Sequence, residues 1–242
     1  TNEIKVKSGA FRNMTALQTI AFNGTGLVSI GESNWDYTFG YNRALTDITA
    51  SDDSSVTFNV MGTFYGCSSL KNVTLGNIND LHQNTFIDNN ALETFEANNI
   101  TEIGQQAFNR CTALRSFKTK GNITTIKGYA FDGSKPLTNV LIGGDVGSIE
   151  GRAFGSVNQM DTFIVLGNGG SISNYGVFSN TLRVAVIKGT LRSINYYAFG
   201  TKAFTQSNSL IYVGGVGGSQ SFDSYAFGND GTKGKAYFNT TF

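Results

Sequence analysis

Apolar residues recur along this chain in a fixed order. Phenylalanines that open similar segments stand at Phe11, Phe39, Phe64, Phe86, Phe108, Phe131, Phe154, Phe178, Phe199 and Phe227, with spacings of 28, 25, 22, 22, 23, 23, 24, 21 and 28 residues. Six residues after the phenylalanine comes leucine or methionine, as at Leu70, Leu92, Leu114, Leu137 and Met160. Three further on is another apolar residue (Val73, Phe95, Phe117, Val140, Phe163), and two beyond that often a third (Leu75, Ile142, Val165). A further apolar anchor sits five residues before the phenylalanine, at Leu81, Ile103, Ile126, Ile149, Ile194 and Phe222. The stretch after the leucine ends in the alternation of a half-buried strand. The Ala-Phe-x-x-Cys-x-x-Leu stretch places apolar groups three apart, which suits a short helical or 3₁₀ turn. One such unit cannot bury its apolar side alone, whereas stacked neighbours can, and each anchor type then forms a ladder down a coil. A single solenoid domain over residues 1–242 is expected, of about ten repeats, with an irregular cap over about 228–242.

Composition supports a packed but weakly charged protein. Charged residues make up 14% of the chain, against roughly 25% in an ordinary domain. The formal net charge is +1, which gives no electrostatic reason to expect a nucleic-acid or membrane-surface partner. No apolar run reaches the 18 or so residues of a transmembrane helix. The opening Thr1-Asn2-Glu3-Ile4-Lys5 is not a signal peptide and reads as a mature or trimmed start, because Val6 and Phe11 already fit the repeat.

Extra residues fall between Phe11 and Phe39 (with Trp35), between Phe39 and Phe64 (Ser51-Asp52-Asp53-Ser54-Ser55) and after Phe199; insertions of this kind emerge as loops on one face. The position three after the phenylalanine reads Asn42, Cys67, Asn89, Cys111 and Ser134, and Asn13 stands two after Phe11. Asparagine and serine there can bond backbone at the inner turn, with cysteine filling the same space as a small hydrophobe. Cys67 and Cys111 lie two repeats apart, about 10 Å in a stack of strands, too far for a disulfide; both are expected as reduced core thiols.

The units Ile103-Gly104-x-x-Ala107-Phe108-x-x-Cys111-x-x-Leu114 and Phe64-Tyr65-Gly66-Cys67-Ser68-Ser69-Leu70 resemble the BspA-type leucine-rich repeat, and the resemblance covers nearly the whole chain. The mean spacing of 24 lies inside the leucine-rich-repeat range of roughly 20–29. The units at Phe178, Phe199 and Phe227 depart from the pattern in spacing. The resemblance implies an α/β, β-rich, right-handed solenoid with a parallel sheet on one face and short strands elsewhere. It also implies secretion or surface attachment and adhesion to host proteins, and it brings no catalytic motif.

Chemistry-bearing residues are sparse. His82 is the sole histidine and reads as a surface residue, solvated or hydrogen-bonded, since a general base needs a nucleophile and an orienting acid beside it. One histidine and two separated cysteines cannot build a zinc site, and Asp52-Asp53 lacks the oxygen spacing of a calcium loop. Gly214-Gly215-Val216-Gly217-Gly218 has no Lys-Ser/Thr of a phosphate loop and, with Gly143-Gly144 and Gly169-Gly170, reads as a turn. Asn13, Asn72, Asn122 and Asn239 open glycosylation sequons, which matter only in a glycosylating host. Catalytic, metal and cofactor residues are therefore expected to be none.

If the segment after each leucine is a strand, its alternate residues point outward. Four after the leucine the row reads Ala21, Thr49, Thr74, Glu96, Lys118, Leu141, Ile164, Val186 and Gly214; two after, it runs to Asn139, Thr162, Val184 and Tyr212. Its second half is apolar, and Leu141, Ile164, Leu166, Val184, Val186 and Tyr212, with Glu96 and Lys118, make the candidate partner-binding face. Soluble monomers seldom expose such a patch without reason. It is either a contact for a protein or a second copy, or it is covered by the insertion after Phe199 or by the tail. The expected function is a secreted or cell-surface adhesion module for a protein, such as host extracellular matrix, or a glycan. A structural spacer or assembly domain is the alternative, and an enzyme the third.

Overall fold

The computed structural model describes residues 3–32, 37–215, 221–228 and 235–238. Trp35, the Val216–Gly218 part of the glycine cluster and Asn239 lie outside these. The chain winds as a β-solenoid with two parallel strands in nearly every coil. The front sheet holds the strands that follow each leucine, from Thr19–Phe22 through Asp47–Ala50, Thr94–Ala97, Ser116–Thr119 and Thr162–Val165 to Leu210–Gly215 and Lys235–Phe238. The back sheet holds those that end on the anchor before each phenylalanine, from Glu3–Val6 through Asn77–Leu81, Ile100–Ile103 and Ile123–Ile126 to Ser221–Phe222. The eleven-residue strand Val184–Ile194 belongs to both. The sequence pattern anticipates the front sheet; the regular second ladder is more than the scattered short strands expected.

Front strands from Thr94–Ala97 to Leu210–Gly215 bury their second and fourth residues, and these inner rows meet a spine of phenylalanines. Phe11, Phe39, Phe64, Phe86, Phe108, Phe131 and Phe154 stack in register, with successive centroids 4.5–5.4 Å apart and ring planes within 17°. Phe95 and Phe117 meet the column edge-on. Offset stacking and edge contacts are the arrangements that aromatic quadrupoles favour.

No helix forms among the described residues, which corrects the helical-turn expectation. Bonds such as Ala107 N–H to Gly104 O, Asn109 to Gln106, Cys111 to Phe108 and Leu114 to Cys111 do span three residues. They never propagate, because left-handed residues interrupt them: Gln106 (φ 57°) and Arg110 (φ 57°) flank Phe108, as Asn84 and Asp88 (both φ 62°) flank Phe86. A left-handed residue reverses the winding of the chain and ends a right-handed turn. The freed amides bond the next coil instead, as in Phe108 N–H to Ala130 O (2.8 Å) and Arg110 N–H to Asp132 O (2.9 Å), so each corner is satisfied along the stack.

The column three after the phenylalanine is a donor column. Asn42, Cys67, Asn89, Cys111 and Ser134 each donate to the backbone carbonyl of the preceding coil's phenylalanine, at 2.7–3.2 Å. Cysteine thus supplies a hydrogen bond as well as volume. Both cysteines are free buried thiols, and burial pushes the Cys67 thiol up to about 12 and raises that of Cys111 as well.

Phe178 does not open a repeat. Phe154 N–H bonds Gly176 O and Val177 N–H bonds Ala198 O, so Val177 holds the spine position, fully buried. Phe178 is displaced by one residue to the half-exposed edge against Tyr175. Stacking resumes between Phe199 and Phe227 at 5.4 Å.

Candidate functional site

Strand register fixes the outward rows. On the front sheet the third-residue row runs Ala21, Thr49, Thr74, Glu96, Lys118, Leu141, Ile164, Val186, Tyr212, Tyr237. Tyr212 pairs with Val186 and Leu210 with Val184; Tyr212 therefore belongs to this row and Gly214 lies past it. The slip arises because Leu210 opens its strand and is not the leucine that precedes one. Leu141, Ile164, Val184, Val186, Leu210 and Tyr212 are all half-buried, and Leu166, just beyond its strand, is 39% exposed.

The described parts of the tail and insertion do not lie over this row. Lys235–Phe238 joins the sheet edge-on as its last rung. The insertion after Phe199 stacks on the preceding coil through Lys202 N–H to Asn180 Oδ1 and Phe204 N–H to Leu182 O. Phe204 itself is buried against Phe199.

The first-residue row is polar and internally bonded as far as Thr162, before Val184 and Leu210 continue it. Asn72 donates to Asp47 (2.9 Å), Thr94 to Asn72 (2.9 Å) and Thr162 to Asn139 (2.8 Å). The bond from Asn72 is the main reason the Asp47 carboxyl sits below its ordinary pKa of 3.8. Glu96 and Lys118 form the ion pair their adjacency suggests, at 3.3 Å. Arg183 and Asp161 make a two-pronged pair at 2.9 and 2.8 Å beside the apolar stretch.

The residues weighed for other chemistry have structural places. Lys120 Nζ sits 2.8 and 2.9 Å from the two Asp52 carboxylate oxygens, and Asn98 donates to Asp52 O, so the Ser51–Ser54 loop is tied to coils further along. His82 is half-buried and its carbonyl accepts from the Thr85 hydroxyl (2.7 Å). Among the described residues no three His, Cys, Asp or Glu side chains gather into a metal-binding group.

The turn edge holds a feature that the sequence reading missed. Two residues before the spine positions from Phe131 onward, on left-handed backbone, stand Tyr129, Arg152, Tyr175, Tyr197 and Tyr225 (φ 49–61°). Tyr175 stacks on Tyr197 (5.9 Å, 24°) and Tyr197 on Tyr225 (5.4 Å, 15°). Tyr196 hydrogen-bonds Tyr197 and is the first cause pushing that phenol up to about 12. At the Arg152 rung lies a cavity of about 270 Å³ lined by Tyr129, Asp132, Arg152, Ser156, Tyr175 and Phe178, with Gly155 beside them. Counting tyrosines two residues before the true spine position, Val177 included, would have revealed the column.

A family model described as BspA type leucine rich repeat region matches in six copies, over residues 1–98 and 81–210. Neither the curated proteins nor the solved structures gave a match.

Proposed function

This chain belongs to the BspA-type leucine-rich-repeat family, and from that premise we propose that it is a secreted or cell-surface recognition module, not an enzyme, that binds a protein partner through its front sheet. The observation that carries the reading is the unbroken row Leu141, Ile164, Val186 and Tyr212, with Val184 and Leu210 beside it, on consecutive strands and half-exposed. A contiguous outward apolar row rimmed by polar residues is the surface type that protein interfaces use, with tyrosine among the enriched residues. The polar half of the face is already spent on its own side-chain ladder, so the apolar half has the most to gain from cover. Aliphatic branches gain by burial against a protein surface. The Arg183–Asp161 pair supplies a charged rim.

The test is binding of the purified protein to a panel of extracellular-matrix proteins, with sedimentation to score self-association. Ile164→Lys and Val186→Lys place a charge on the outward row, where Lys118 is already accommodated. Wild type should bind a partner or itself, and each variant, still folded by circular dichroism, should bind at least tenfold more weakly. Equal binding by the variants, or no binding in either assay, overturns the proposal.

A further inference from the structure

The tyrosine column on the turn edge has a missing ring. Tyr129 and Tyr175 stand two rungs apart, about 10 Å along a stack of strands, and the rung between them carries Arg152. Tyr197 covers one face of Tyr175, so the other face looks along the column into the cavity at that rung. Arg152 does not fill the space with a ring; its guanidinium is drawn toward the Tyr129 hydroxyl at 3.5 Å. Gly155 leaves the floor without a side chain. Phe178, expelled from the spine by the one-residue shift at Val177, forms the far wall edge-on to Tyr175. A phenylalanine held half-exposed forgoes part of the burial its ring would otherwise gain, and it does so where the aromatic spine is interrupted beside a cavity.

We propose that this slot binds one ring of a neutral glycan, seated between Tyr129 and Tyr175 with its edge toward Asp132, Ser156 and Arg152. Three features select that chemistry. The weakly positive C–H face of a pyranose packs on the negative face of an aromatic ring. The edge groups are those of a hydroxyl-binding site: Ser156 hydrogen-bonds Asp132, and carboxylate plus guanidinium bond adjacent hydroxyls from opposite senses, the one accepting and the other donating. A wholly apolar guest would use none of the bonding capacity that these groups keep beyond their contacts with one another and with Tyr129. The carboxylate and guanidinium cancel in charge, which favours a neutral sugar over a phosphorylated or acidic one. Small-molecule sites commonly show this mix of aromatic walls and a few convergent polar groups. The site lies on the turn edge, away from the front-sheet row, so the two proposals stand or fall separately.

The experiment is a glycan array, followed by calorimetric titration of the retained oligosaccharide into wild type, Tyr129→Ala, Tyr175→Ala, Asp132→Asn and Arg152→Tyr. The last variant fills the empty rung with the protein's own ring, at a left-handed position where tyrosine already occurs on both sides. A neutral oligosaccharide should bind wild type, lose at least tenfold in affinity in each variant, and bind Ile164→Lys unchanged. Circular dichroism and an unaltered unfolding midpoint in Arg152→Tyr would show that loss of binding is not loss of fold. Retention of no neutral glycan at millimolar concentration, preference for acidic glycans or aromatic peptides, or affinities within twofold of wild type in Tyr175→Ala and Arg152→Tyr, would overturn the proposal.

Discussion

At the residue scale, the most instructive position is the third after each spine phenylalanine, where three residue types do one job. Asn42 is fully used: its amide nitrogen donates to Phe11 O and Phe39 O, and its oxygen accepts from Met14 N–H at 2.6 Å. Asn89 donates to Phe64 O in the same way, but its oxygen is buried without a partner. Cys111, one coil on, keeps the donor and carries no such oxygen. An unpaired buried acceptor costs roughly 1–3 kcal/mol, against a small loss of packing on going from amide to thiol. Asn89→Cys should therefore raise the unfolding free energy by about 1 kcal/mol, read from urea denaturation, whereas Asn42→Cys should lower it. A fall in both would mean that the Asn89 oxygen is satisfied after all.

At the element scale, the corner between front and back strands shows what the sequence does and does not disclose. Asn122 Oδ1 accepts from Asp145 N–H, Asp145 Oδ1 from Asn168 N–H and Asn168 Oδ1 from Thr190 N–H, at 2.7–2.8 Å. The residue before each acceptor's partner lies under the same oxygen: a Cβ on Gly144 would strike Asn122 Oδ1 and come within 2.8 Å of the Gly121 carbonyl carbon. Gly144→Ala should cost roughly 1–3 kcal/mol, as overpacking of rigid neighbours does. Asn122→Ala, which removes one exposed bond, should cost about 1 kcal/mol or less. Urea unfolding of the two variants orders them, and an equal loss would remove close approach as the reason for glycine. Gly143-Gly144 is legible as a turn, but not the ladder, because a bond between coils leaves no trace within one coil. The back strands are similarly veiled: Ile123 and Ile126 are both buried, three apart, and the pairing steps from Ile123 to Thr125 over Thr124, so a test for strict alternation sees no strand. The spine fails only where volume misleads. Phe178 is the larger residue, but Ile172, five before Val177, keeps the anchor spacing and marks the true phase. On the front face, the rows through Val186 follow from the leucine spacing alone, while Leu210, which opens its strand, moves Tyr212 from the first-residue row to the third.

At the scale of the whole molecule, the described strands pair only with those of adjacent coils, and the Asp52 loop alone is shown reaching further, to Asn98 and Lys120, so stability is close to a sum of coil and interface contributions. Phe108 sits in the middle of that sum. It stacks on Phe86 at 5.4 Å and Phe131 at 4.9 Å, meets Phe95 and Phe117 edge-on, and is fully buried. Phe11 stacks on Phe39 alone among the phenylalanines of the column and is 39% exposed. Truncating a core phenylalanine to alanine costs about 3–5 kcal/mol, and at Phe108 that loss falls on two interfaces at once. Phe108→Ala should therefore open the solenoid from the inside: amide exchange should quicken first in Thr94–Ala97 and Ser116–Thr119, while Asp47–Ala50 and Thr162–Val165 keep their protection. Phe11→Ala should cost far less and quicken exchange only in Glu3–Val6 and Thr19–Phe22. Hydrogen exchange read by mass spectrometry separates the two patterns. If both variants instead lost protection evenly in all strands, the coils would be unfolding as one cooperative core, and the local bookkeeping of a stacked chain would not apply to this protein.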